Sequence, residues 1–318
     1  MDELYHLRDN GLFLRREAIE AGYDDLVLRR GLQQGWLKRV RHGVYLAADR
    51  WQGLDKRGRH LMRAEAVIAT HGDRVVLSHQ TAALIHGIDL FQPDLATVHA
   101  HVLGTGSSRV ESGITYHQAP PPDGVLVQWR GGLVCPPDLA TMEVAANSDL
   151  EAAVVVLDAA LRAGIEMGQL AERFEEFNYR KGHRMLQIAM RLTRPGADSV
   201  GESRCRFFFW QYHLPEPELQ VEIRDADGNL LGILDFLWRR HGVAGEFDGQ
   251  VKYRQLLRPG EQPEDAVFRE KQREDRIRAE TGYFFFRIVT KDLYDAPRTA
   301  ARLRDVLERG QQLQRRTA

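Results

Sequence analysis

Gly232-Ile233-Leu234-Asp235-Phe236-Leu237-Trp238 is an apolar run of strand length with one carboxylate inside it. An acid in such a run is costly unless it is paired or bound to a metal. The next segment of strand character, Gly245-Glu246-Phe247-Asp248-Gly249-Gln250-Val251-Lys252-Tyr253, carries two more acids and a lysine. Strand side chains alternate, so Glu246, Asp248 and Lys252 share one face of a regular strand, and Phe247 and Val251 take the other. Three acids and a lysine at the edge of a strand pair suit a Mg²⁺ or Mn²⁺ site for phosphodiester cleavage, with Asp235, Glu246 and Asp248 as metal ligands. Carboxylates hold a hard cation through oxygen. The cation polarises the phosphate and lowers the pKa of a bound water, and the lysine steadies that water or the developing charge. The competing reading is structural, with Asp235 and Glu246 ion-paired to Arg239, Arg240 or Arg254.

The chain has 318 residues, more than one typical core needs, so two or three domains are expected. A 43% hydrophobic and 28% charged composition is that of a folded protein, which leaves disorder to the tail, Gln311–Ala318. No apolar run reaches the ~20 residues of a membrane helix. Met1–Asn10 carries Asp2, Glu3 and Asp9 and has no apolar core, so no secretion signal is expected. Cys135 and Cys205 give neither zinc spacing nor a disulfide framework, which fits the reducing cytoplasm. Net charge is −1, but Arg29 to Arg63 holds ten Lys/Arg against two acids. Such a block is either a phosphate-binding footprint or a solvated face.

That block follows a helix–turn–helix rhythm. Leu12–Ala21 reads as a short amphipathic helix stopped by Gly22, and Tyr23-Asp24-Asp25 supplies a turn and an N-cap. Leu26, Leu28 and Leu32 form the apolar stripe of a second helix, ended by Gly35. Trp36–Arg41 and Val44–Leu46 make a hairpin around His42-Gly43. Helix, turn, helix and basic hairpin is the winged-helix arrangement. Arg29 and Arg30 on the helix, and Lys38, Arg39 and Arg41 on the wing, are the expected DNA-phosphate contacts.

The middle of the chain is mixed. Arg63–Ala69 and Gln80–His86 read as helices, Val98–Val102 and Gly113–His117 as strands, Pro120–Pro122 as a loop. Pro137–Leu161 has helical periodicity, with Leu139, Met142, Val144, Val154, Val155, Leu157 and Leu161 as core. Ser78, His79 and His86 look like a site by residue type, but no third ligand stands at metal spacing, so a capped helix with packed histidines is expected. His99, His101 and His117 fail the same test. Gly104-Thr105-Gly106 lacks the Walker pattern, and there is no nucleophile elbow. Thr193–Asp198 breaks the pattern and sets expected domains of 1–55, 56–195 and 199–310. The last reads as a helix over Ser199–Tyr212, strands over Leu219–Ile223, Leu230–Trp238 and Val243–Tyr253, a charged helix over Pro263–Thr281, a buried strand over Tyr283–Val289, and a helix from Lys291 to about Gly310.

Gly201-Glu202-Ser203, Leu234–Trp238, Glu246-Phe247-Asp248-Gly249, Glu270–Arg276 and Gly282–Arg287 together resemble the very-short-patch-repair (Vsr-like) branch of the PD-(D/E)XK nucleases, over about residues 199–292. The resemblance implies an α/β restriction-endonuclease-like core, a mixed sheet flanked by helices. It places Glu202 as the first-helix acid, Asp235 as the central metal ligand and Glu246 as the second acid. The family motif has lysine two residues after the second acid, and here that residue is Asp248. Lys252, on the same strand face, or Lys271, on the charged helix, is then the lysine available for the role. Lys271 also stands four residues from Asp275, a surface ion-pair spacing.

Leu28–Gly35, Trp36–Tyr45 and Leu77-Ser78-His79-Gln80-Thr81-Ala82-Ala83-Leu84-Ile85-His86-Gly87 resemble the winged-helix antitoxins of the AbiEi kind, loosely over about residues 10–150. That resemblance implies promoter DNA binding and autorepression. Two functions follow. One is a Mg²⁺- or Mn²⁺-dependent DNA endonuclease or nickase of repair or phage defence, with Glu202, Asp235, Glu246, Asp248, Lys252 and Lys271 as its catalytic set. The other is an antitoxin-like transcriptional regulator whose nuclease-like domain is inactive. DNA is the expected partner and a membrane is not. A homodimer and a toxin or repair partner are left open.

Overall fold

The computed structural model describes residues 11–103, 107–118, 126–177, 182–249 and 263–317. The expectations on Met1–Asn10, Gly104–Gly106, Pro120–Pro122, Lys252 and Arg254 lie outside these residues. The chain forms two compact units, one of residues 1–152 with 165–186, the other of 153–164 with 187–318. No described helix is long and apolar enough to cross a membrane.

The first unit opens with strand β1 (Phe13–Leu14), helices α1 (Arg15–Glu20) and α2 (Asp25–Gln34), and a hairpin of β2 (Leu37–Arg41) and β3 (Val44–Ala47). The strands pair antiparallel in the order β1-β3-β2. Local chemistry fixes the boundaries. The Asp24 carboxylate accepts the Val27 N–H at 2.9 Å, a side-chain N-cap. Gly35 ends α2 in the left-handed region at φ 78°, which glycine adopts without a Cβ penalty. Phe13, Ala18, Leu28, Leu37 and Tyr45 form the core of this subdomain, with Leu32 and Trp36 at its margin. The expected stripe needs one correction: Leu26 is 48% exposed, because the first turn of α2 projects past that core.

The opposite side of the hairpin, Val44 and Leu46 with Leu12 and Leu14, packs on Met62 and Ala66 of α4 (Lys56–His71), which follows the short α3 (Ala48–Gly53). Beyond α4 come β4 (Val75–Leu77), α5 (His79–Ile85), β5 (Val98–Val102), β6 (Arg109–Glu111), β7 (Ile114–His117), β8 (Val127–Trp129) and β9 (Gly132–Val134). They make a six-stranded mixed sheet in the order β6-β7-β5-β4-β9-β8. The single periodic stretch expected from Pro137 to Leu161 is two helices, α6 (Pro137–Ala146) and α7 (Leu150–Arg162). The break is chemical: Asn147 Nδ2 turns back to the Glu143 carbonyl at 2.8 Å, and Asp149 accepts the Ala152 N–H at 2.8 Å to start the next helix. Helices α8 (Met167–Glu175) and α9 (His183–Leu192) follow.

The second unit is built on a mixed four-stranded sheet in the order β10-β11-β12-β13, of β10 (Glu218–Arg224), β11 (Leu230–Trp238), β12 (Val243–Asp248) and β13 (Phe284–Val289). Only β12 and β13 run parallel. Helix α10 (Val200–Gln211) precedes the sheet, α11 (Pro263–Thr281) joins β12 to β13, and α12 (Thr290–Tyr294) and α13 (Ala296–Thr317) end the chain. The strands obey a period of two. Val243 and Phe247 of β12, and Phe286 and Ile288 of β13, meet Cys205, Phe208 and Phe209 of α10 and Leu303 and Leu307 of α13. Ala244 and Phe285 face the other way, into the cluster around Ile277 of α11.

Strand β12 ends at Asp248, and the part of its expected span from residue 250 to Tyr253 lies outside the described residues. One expectation is corrected here. The tail expected to be disordered is helical to Thr317, because Leu303 and Leu307 anchor α13 and Arg315 and Arg316 suit the negative end of its dipole.

Gly201 shows how closely α10 approaches the sheet. A Cβ there would lie 1.9 Å from Cε1 of Phe247. Gly201→Ala is therefore expected to destabilise the second unit by about 1–3 kcal/mol despite alanine's better helix propensity. Urea unfolding checks this, and a variant as stable as wild type would show that the approach is not tight.

Candidate nucleic-acid interface

Helix α2 and strand β2 carry the candidate DNA contacts. Arg29 and Arg30 are exposed in the middle of α2, and Lys38 and Arg39 are exposed on β2. The Arg15 guanidinium forks onto Asp25 at the start of α2, so this arginine is occupied in tying α1 to α2. Asp25 lies below the usual carboxylate range, chiefly through that hydrogen bond. Lys38 Nζ stands 5.8 Å from the centre of the Trp51 ring.

Arg41 is placed differently from the other four. Arg39 and Arg41 both line a crevice with Thr70 and Ser112, but Arg41 Nη1 is enclosed with no hydrogen-bond partner among the described residues. Burial lowers its pKa. The basic block is thus not one phosphate-facing surface. Three of its members are bound to carbonyl oxygens: Arg57 to Leu84, Arg59 to Trp51 and Gln52, and Arg63 to Leu95. Composition counts charge but says nothing of which way an arginine points.

The predicted acid set lies in the second unit. Glu202, in the first turn of α10, accepts from Ser199 Oγ, Asp198 N and Gln220 Nε2, each at 2.8 Å. It serves as the return half of a cap whose other half is Ser199 Oγ, which accepts the Glu202 N–H at 3.2 Å. Asp235 accepts the Phe247 N–H at 2.8 Å. The β11–β12 ladder is paired from Phe236 to Trp238, so this carboxylate bonds the neighbouring backbone just beyond the paired residues. Glu246 is 8% exposed and receives Arg273 Nη2 of α11 at 2.5 Å, with Arg287 Nη2 of β13 at 3.6 Å. Asp248 lies 3.8 Å from Arg287 Nη1. Lys271 is exposed on α11.

The sequence pattern correctly puts Glu246 opposite Phe247, and among the described residues Glu246 meets guanidiniums other than Arg239, while Arg254 lies outside the described residues. Arg239 pairs with Glu218, whereas Arg273 and Arg287 hold Glu246. Register supplies one of them, because Glu246 and Arg287 are aligned on parallel strands. Arg273 binds Glu246, Arg287 binds Glu274 at 2.9 Å and reaches towards Glu246 and Asp248, and Glu202 and Asp235 accept from hydrogen-bond donors. Among the described residues, neither group of three side chains able to hold one ion includes any of these four acids.

Both such groups lie in the first unit and share His79. One adds His99 and His117, and the other adds His101 and Glu143. This overturns the expectation that no third ligand is near. Sequence spacing missed it because β5, β7, α5 and α6 each contribute, and only the sheet order brings them together. Glu143 Oε2 accepts the His79 N–H at 2.9 Å and Oε1 contacts His101 Nε2. His86, by contrast, bonds the Cys135 carbonyl through Nε2 at 2.8 Å and stays a packed histidine. Burial lowers His79 to about 3, and His99 and His117 to about 4, so all three are neutral at pH 7.

His60 and His71 in α4 make a pH prediction. Burial lowers both, helped by Arg63 at His60 and by Arg41 at His71. Each therefore protonates at lower pH in the folded chain than in the unfolded chain, where the ordinary value is about 6.5. The unfolded chain therefore binds more protons as pH falls, and stability is lost over that window. The Tm of the protein is expected to drop as pH falls below about 6.5, with a shallower slope in His60→Asn. A flat wild-type profile would contradict this.

Residues 1–48 match the family model described as "Transcriptional regulator, AbiEi antitoxin". The match spans the winged-helix elements and ends where α3 begins, so the resemblance read to about residue 150 is shown for this part alone. A comparison with curated proteins gives no match. Among solved structures, the RV2827C protein from Mycobacterium tuberculosis is similar at 15% identity and a TM-score of 0.40, over 69% of this chain and 82% of that one. A likeness at that level does not establish a shared fold.

Proposed function

We propose that the protein is a DNA-binding regulator of the antitoxin kind, which docks α2 in the major groove of promoter DNA and sets its wing on the phosphates. The observation that carries this reading is the placement of Arg29, Arg30, Lys38 and Arg39, exposed on a helix and strand that pack together in the segment matching an AbiEi antitoxin. Arginine and lysine on such elements neutralise phosphates and release counterions, so binding weakens steeply with salt. A toxin is the protein partner this reading implies.

A second reading, the metal-dependent endonuclease or nickase, is favoured by Asp235 on β11 beside Glu246 and Asp248 on β12. Against it stand Arg273 and Arg287 on Glu246. Wild type and Asp235→Ala/Glu246→Ala are incubated with labelled linear, supercoiled and mismatched DNA, in Mn²⁺ or in EDTA. The regulator reading expects intact DNA in every lane and a retained gel shift with duplex from the protein's own promoter. Metal-dependent cutting that disappears in the double variant would replace it with the nuclease.

A further inference from the structure

The histidine cluster of the first unit is absorbed by neither reading. Strands β5 and β7 run parallel with His101 aligned to His117, and His99 Nδ1 lies 3.0 Å from His117 Nε2. His79 opens α5 at φ 48°, a left-handed conformation that residues with a Cβ seldom hold. Its ring stacks on that of His117 with centroids 3.6 Å apart. From α6, Glu143 enters between His79 and His101, its Oε2 3.4 Å from His79 Nδ1 and its Oε1 on His101 Nε2. His79, His101 and Glu143 are buried, while His99 and His117 are half-buried, so the cluster is closed at the carboxylate and reached from the side of these two histidines.

We propose that this cluster binds one divalent transition-metal ion of the zinc class through His79, His101 and Glu143, with the fourth position facing His99 and His117. The three ligand atoms lie within 4.8 Å of one another. Ligands at about 2.0–2.1 Å from a tetrahedral ion stand about 3.3 Å apart, which the 3.4 Å between His79 Nδ1 and Glu143 Oε2 matches. Two imidazole nitrogens and one carboxylate oxygen select zinc-class ions over magnesium or calcium, which prefer oxygen throughout. The carboxylate offsets part of the dication's charge, and each imidazole offers one nitrogen lone pair. Hydrogen bonding alone would account for the Glu143 contacts, but it gives no reason to collect four imidazoles around one carboxylate or to hold His79 at positive φ.

The test uses full-length protein made without a polyhistidine tag and stripped with EDTA. Zn²⁺ is titrated by calorimetry and Co²⁺ by visible absorption, and the Tm is followed with each. The expected result is one ion per chain, a tetrahedral Co²⁺ spectrum and a Tm raised by Zn²⁺. Glu143→Gln and His101→Gln are expected to weaken binding by about ten- to a hundredfold. Glu308→Gln, at an exposed position on α13 of the second unit, is expected to leave it unchanged. His117→Ala, at the half-buried edge, serves if the buried variants do not fold, and is expected to alter the Co²⁺ spectrum. Absence of stoichiometric binding by wild type overturns the proposal. So does wild-type affinity in folded Glu143→Gln, an unchanged Co²⁺ spectrum in His117→Ala, or loss of binding in Glu308→Gln.

Discussion

Asp158→Ala is expected to destabilise the second unit by about 3–5 kcal/mol, the cost of stranding a buried charge. Asp158 is 2% exposed and Arg206 8%, and they form a close ion pair between α7 and α10. Arg206 Nη2 also donates to the Leu192 carbonyl at 2.6 Å, and Asp158 Oδ1 accepts the Arg194 N–H at 3.3 Å. Burial nonetheless outweighs these partners and holds the Asp158 carboxyl above its usual range. The pair is thus a poor net stabiliser that is costly to break from one side. The double replacement Asp158→Leu/Arg206→Met is accordingly expected to recover most of the loss. Urea unfolding of both variants decides it. A single variant that loses less than about 1 kcal/mol would mean that Arg206 finds water or another partner.

The second large effect is on DNA. Arg29→Ala/Arg30→Ala/Lys38→Ala/Arg39→Ala is expected to weaken duplex binding by about a hundredfold or more near physiological salt. It is also expected to flatten the log–log salt dependence by about 0.9 for each phosphate that is no longer neutralised. Arg41→Ala should leave that slope unchanged, because Arg41 Nη1 is enclosed whereas Arg39 is exposed. Fluorescence anisotropy across a salt series reads both quantities. An unchanged slope in the quadruple variant would remove the winged helix from the interface.

The elements that were legible share one property: their determinants are a few residues apart. Asp24 and Ser199 cap the helices that follow them, Gly35 closes α2, and Asp225 holds the β10–β11 turn by accepting from Asp227 N at 3.0 Å and Asn229 N at 2.8 Å. The alternation that put Glu246 and Phe247 on opposite faces of β12 is equally local. The candidate site was legible only in part for the same reason. Arg29, Arg30, Lys38 and Arg39 are exposed as the pattern implies, but periodicity could not tell that Arg57, Arg59 and Arg63 would be spent on carbonyl oxygens.

Sequence by itself determined the helix, helix and hairpin start of the chain, the order of the four strands of the second unit and the face on which β12 carries its acids. Tertiary structure alone decided what those acids and histidines meet. Arg273 is 27 residues from Glu246, and Glu143 is 64 from His79, so each meeting is set by which elements pack together. A repeating side-chain pattern specifies one face of one element. Whether that face holds an ion, an arginine or a backbone N–H depends on the sheet order and on the helices laid across it, which no local period encodes.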